Sequence, residues 1–62
     1  MVTFKLIGNG VFHSFENGEK THYEIYSTKE SHGVCNTVTG KVRWLKDYNE
    51  CKRFIIMSLN GY

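Results

Sequence analysis

Asn17-Gly18 stands between two strand-like runs, Val11 to Phe15 and Lys20 to Tyr26. A type I′ turn needs positive φ at both central residues, and Asn-Gly meets that demand at the lowest steric cost. The dipeptide therefore commits this part of the chain to an antiparallel hairpin. A two-residue turn would pair Phe12 with Tyr23, Ser14 with Thr21 and His13 with His22. It would also set Glu16 against Glu19, a like-charge pair that a longer loop would relieve.

The rest of the chain repeats the same grammar. Gly8-Asn9-Gly10, Ser31-His32-Gly33 and Thr39-Gly40 interrupt short runs of β-branched and aromatic residues, and such runs read as strands. Thr39-Gly40 predicts a second hairpin. A two-residue turn there would pair Cys35 with Trp44 and Thr37 with Val42 on an apolar face, leaving Asn36, Lys41 and Arg43 on the other. The last segment changes period. Asp47 followed by Glu50 is a capping-box-like start for a helix over about Tyr48–Leu59, with Gly61 just beyond its end. Tyr48, Cys51, Ile55 and Leu59 then form one apolar stripe, with Asn49, Arg53 and Asn60 facing away. The expected fold is α+β: an antiparallel meander of four to five short strands with one C-terminal helix packed on the sheet. Trp44 is expected in the core beneath Ile55.

At 62 residues the chain allows one domain, residues 1–62, and one small core. A deep catalytic pocket would compete with that core for the same side chains, so the expected class is not an enzyme. Aromatic residues make up 15% of the chain and supply the large buried area that a tiny core needs. The first residues, Met1 to Ile7, alternate in polarity and read as a strand start, not a signal peptide. No segment approaches the roughly 20 apolar residues of a membrane span. The expected location is the cytoplasm, with Cys35 and Cys51 as reduced thiols, and both ends of the chain read as complete.

Candidate chemistry is sparse. His32 and Cys35 have an H-x-x-C spacing that Cys51, His13 and His22 would have to complete, but structural zinc normally has paired ligands on both sides. Cys35 and Cys51 each fall on an apolar face and are expected to pack as small hydrophobes. No metal and no cofactor is expected. Nothing aligns a nucleophile with a base, since Ser14 and His13 are strand neighbours that point to opposite faces.

Charge is uneven. Residues 1–40 carry a balance of −1, and residues 41–62 carry +3 from Lys41, Arg43, Lys46, Lys52 and Arg53 against Asp47 and Glu50. The basic strand Gly40 to Lys46, running into the capped helix as far as Ile55, resembles in outline the arm-site-binding domains of phage-type integrases. That resemblance is a shared layout. It implies nucleic-acid contacts at Lys41, Arg43, Lys46 and Arg53, yet four glutamates precede residue 31 and a dense basic sheet face is lacking. In its proline-free brevity the chain also resembles small bacteriophage accessory proteins, many of which bind and block one host protein. Phe54 and Ile56 flank the helix stripe and Met57 lies beyond it, more apolar surface than one sheet face needs to cover. The expected function is therefore a protein-binding inhibitor or modulator acting on a host or cellular protein. Phe54, Ile56, Met57, Lys52 and Arg53 are the expected contact residues. A homodimer through the same helix flank and a nucleic-acid-binding domain are the alternatives.

Overall fold

A computed structural model of the chain describes residues 1–61. Five strands follow in order: β1 (Val2–Gly8), β2 (Val11–Glu16), β3 (Glu19–Ser27), β4 (His32–Asn36) and β5 (Val42–Leu45). One helix closes the chain, α1 (Tyr48–Leu59). Every strand pairs antiparallel with its sequence neighbour, so the sheet order is β1-β2-β3-β4-β5, a meander with β1 and β5 at its edges. The fold is the expected α+β arrangement.

Asn17 and Gly18 adopt φ of 53° and 86°, as a type I′ turn requires. Glu16 does stand opposite Glu19, and Phe15 opposite Lys20. Beyond that point the expected register fails. His13 faces Glu24 and Phe12 faces Ile25, because Thr21, His22 and Tyr23 bulge against Ser14 alone. Hence neither the Phe12–Tyr23 nor the His13–His22 pair forms. Ser14 and Thr21 meet through side chains instead.

Ser14 is fully buried and closes the bulge. Its Oγ donates to the Tyr23 carbonyl at 2.7 Å, the Thr21 hydroxyl donates to Ser14 Oγ, and the Tyr23 N–H donates to Thr21 Oγ1 at 3.2 Å. This ring of three bonds satisfies the backbone groups that the bulge takes out of the ladder.

The second hairpin also differs from expectation. Its loop spans four residues, because the Asn36 N–H donates to the Lys41 carbonyl at 2.9 Å and the Gly40 N–H to the Asn36 carbonyl at 2.7 Å. Asn36 Oδ1 accepts from Val38 and Thr39, holding an Asx turn inside the loop. Cys35 therefore faces Val42, and Trp44 faces Gly33. The shift is two residues, so Cys35, Val42 and Trp44 still share a face.

That face is not the core. The helix packs on the other side, where Ile25 and Val34 from the sheet meet Cys51 and Ile55 from α1. Phe4, Phe12, Tyr23, Leu45, Tyr48, Phe54 and Leu59 pack around them. Trp44 is 63% exposed, against the expectation that it lies under Ile55, and Cys35 is half-buried on the same outer face. The reason lies in the inner strands. Glu24 of β3 and His13 of β2 share the face of Cys35, and a helix laid over them would strip water from a carboxylate. The opposite face offers Ile25, Val34 and Phe12 at the same positions.

Asp47 caps the helix as expected, with its side chain accepting from the Glu50 N–H at 2.8 Å. At the other end Gly61 takes φ of 85° and its N–H reaches the Ser58 carbonyl. Asn60 is the C-cap, one residue before that left-handed turn.

Candidate protein-binding surfaces

The uncovered face of the sheet is built from two cross-strand rows. Val11, Tyr26, Gly33 and Trp44 form one, and Lys5, His13, Glu24, Cys35 and Val42 form the other. Gly33 explains how an exposed Trp is held. A Cβ at Gly33 would lie 2.7 Å from Cε3 of Trp44, so the indole lies against bare backbone. Val42, two residues before it on β5 and on the same face, is 42% exposed and extends the apolar surface beside it.

A polar knot sits in the middle of this face. His13 Nε2 and Lys20 Nζ approach Glu24 Oε2 to 3.2 and 3.6 Å, and the Tyr26 hydroxyl donates to Glu24 Oε1 at 3.1 Å. Burial, and then the bond to the Glu24 carboxylate, push the Tyr26 hydroxyl above its usual range. Tyr26 and Glu24 are thus locked in place on the face that Trp44 shares, two strands away from it. Glu24 becomes a signal only once β3 is registered against β4: opposite Cys35 on an inner strand, its carboxylate marks that face as the open one.

The residues expected on the helix flank do not form one patch. Phe54 turns toward β5 and is half-buried, with the Arg43 guanidinium 5.3 Å above its ring. Ile56 lies on the β1 side near Val2 and Phe4. Met57 is 53% exposed and lies beside Leu45. Lys52 spreads over the Tyr48 ring at 5.0 Å, and Arg53 is exposed.

The basic strand is turned over relative to expectation. Lys41 and Arg43 lie on the helix side of the sheet, in a cleft of about 440 Å³ with Tyr23, Val34 and Phe54. A second, separate cleft shares Arg43 and Phe54 with the first and is lined as well by Leu45, Arg53 and Met57. Lys46 is exposed beyond β5. Among the described residues Glu24 is the carboxylate that basic side chains reach, Lys20 by charge and His13 through its ring nitrogen, so none of Lys41, Arg43, Lys46, Lys52 and Arg53 has a carboxylate partner.

The sulfur and imidazole groups are scattered. Cys51 is buried under the helix, and burial followed by the nearby Asp47 and Glu50 carboxylates pushes its thiol up. Cys35 faces outward from the other side of the sheet, so both cysteines stay free thiols. His32 Nδ1 bonds Ser27 Oγ at 2.7 Å, and His22 is exposed in the bulge. Among the described residues no three of His, Cys, Asp and Glu are grouped to hold a metal ion, and no helix is long and apolar enough to cross a membrane. Comparison of the chain with protein-family models, curated proteins and solved structures found no match.

Proposed function

We propose that this chain is a small binding module that modulates another protein by covering part of its surface, in the manner of a phage accessory inhibitor. The observation that supports this reading is the open face of the sheet, where Trp44 is 63% exposed over Gly33 in one row with Tyr26 and Val11. Apolar surface displayed on a rigid sheet is costly to leave in water and marks a contact site. Trp and Tyr are the residues that most often dominate binding energy, because they bury large area at little entropic cost. The helix flank contributes Met57 and Ile56, with Lys52 and Arg53 setting orientation and encounter rate more than affinity. The partner is a protein of the host cell cytoplasm, and the module carries no reaction of its own.

The test is affinity capture from a native lysate with wild-type, Trp44→Ala and Met57→Glu protein. Both positions are exposed, so both variants are expected to keep the wild-type circular dichroism. Trp44→Ala should lose the captured protein, and Met57→Glu should weaken it. A captured protein held equally by all three would rule out both surfaces.

Nucleic-acid binding is the second reading. Lys41 and Arg43 line one cleft and Arg43 and Arg53 a neighbouring one, none of them with a carboxylate partner among the described residues; this favours it, and Lys46 lies nearby in sequence. Such binding would fall steeply with added salt as counterions are released, whereas contacts through Trp44 would not.

A further inference from the structure

We infer that the outer edge of β5 is a strand-addition site that takes an extended, acidic–apolar segment of the partner protein. This rests on the protein-binding reading and names the chemistry of the partner. β5 pairs on one side only, with β4. The Asn36 N–H bonds the Lys41 carbonyl while the Lys41 N–H donates to Thr39 Oγ1, so from that bond onward Arg43 and Leu45 direct their backbone groups inward to β4. By the alternation of an antiparallel ladder, Val42 and Trp44 direct theirs outward. A chain laid along this edge would continue the ladder, with affinity coming from main-chain bonds and selectivity from alternate side chains.

The two faces of β5 specify that alternation. Side chains of the added strand on the open face would meet Val42 and Trp44, exposed by 42% and 63%, and are therefore apolar. Side chains on the helix side would meet Lys41 and Arg43, the latter over the Phe54 ring, with Arg53 in the neighbouring cleft that Arg43 also lines. None of these cations has a carboxylate partner among the described residues, so acidic residues complete them. The same charges select against other strands. Basic edge residues repel a basic strand, and two copies pairing β5 to β5 would bring Lys41 and Arg43 against their own kind. The other edge, β1, carries Lys5 in mid-strand and an irregularity at Leu6–Gly8 that interrupts its register, both of which discourage strand addition there.

Trp44 is the one tryptophan in the chain and reports directly on the edge. The experiment titrates the full chain with three pools of ten-residue peptides, each alternating Val, Ile or Phe with Asp or Glu, with Lys or Arg, or with Ser. Trp44 emission gives the binding curve. The acidic pool should bind saturably and at least tenfold more tightly than the Lys/Arg and Ser pools. N-methylation of its alternate amides should abolish binding. Lys41→Glu and Lys41→Glu/Arg43→Glu should weaken the acidic pool and favour the basic one; the single variant changes an exposed side chain and serves if the double variant misfolds. Failure of every pool while lysate capture persists would overturn the β5 site and leave the protein-binding reading standing. Failure of both would overturn both. An oligodeoxythymidine that binds where the acidic pool does not would overturn the inference in favour of nucleic acid.

Discussion

Ser14 is a small residue with a large structural duty. It is the one fully buried polar side chain among the described residues, and its hydroxyl closes the ring through Thr21 and Tyr23 that makes the β3 bulge tolerable. Ser14→Ala would leave the Tyr23 carbonyl and the Thr21 hydroxyl short of partners in a dry site. The expected cost is about 1–3 kcal/mol, read as a lower urea midpoint at unchanged slope; an unchanged midpoint would mean that water replaces the hydroxyl. The two cysteines differ as sharply. Cys35 lies half-exposed on the open face, while Cys51 is sealed under α1 with its thiol pushed up by burial and then by Asp47 and Glu50. Only a thiolate that solvent can reach reacts quickly. A thiol reagent should therefore label Cys35 in the folded protein and both cysteines only in denaturant. Equal rates in the folded state would show that α1 opens readily. That the two sulfurs lie on opposite sides of the sheet was beyond sequence reading, because strand register and the choice of face decide it.

At the scale of elements, the local signals carried furthest where one residue controls one bond. Asp47 was legible as the helix start because free N–H groups at a helix N-terminus need an acceptor, and it accepts from Glu50. Asp47→Ala should cost about 1 kcal/mol, measured by chemical denaturation; no change would mean that the first turn is held by packing alone. Asn17-Gly18 fixed its turn for the same kind of reason. The hairpin arms were less legible. Three residues of β3 oppose Ser14, and four loop residues separate β4 from β5, each shifting the expected register by two. Both shifts come from side chains bonding to backbone, Ser14 in one and Asn36 in the other, and such bonds become visible only once the strands are placed.

For the whole molecule, the groups with raised pKa predict how stability depends on pH. Burial is the main cause for Cys51, Tyr48 and Tyr26 alike. Each is held neutral in the folded state, so the unfolded chain releases its protons first. Stability from these groups is fully present below the ordinary thiol value of 9.0 and is lost above it, with the tyrosines adding from 10.0 upward. The melting temperature should fall between about pH 9 and pH 11, and Cys51→Ala should flatten the first part of that fall. A wild-type melting temperature constant across that range would contradict the burial of these groups. The alternation of strand residues, the Asn-Gly turn, the Asp47 cap and the change of period at Tyr48 were sufficient to determine an antiparallel meander of four to five strands and a C-terminal helix, since each depends on neighbours in sequence; the structure has five. Which face the helix covers was decided only in three dimensions. Both faces of the sheet carry apolar rows, and the choice fell to Ile25 and Val34 because the other row shares its face with Glu24, whose charge is costly to bury. That choice turned Trp44 outward and brought Lys41 and Arg43 to the helix side, so the candidate binding surfaces are products of the tertiary structure.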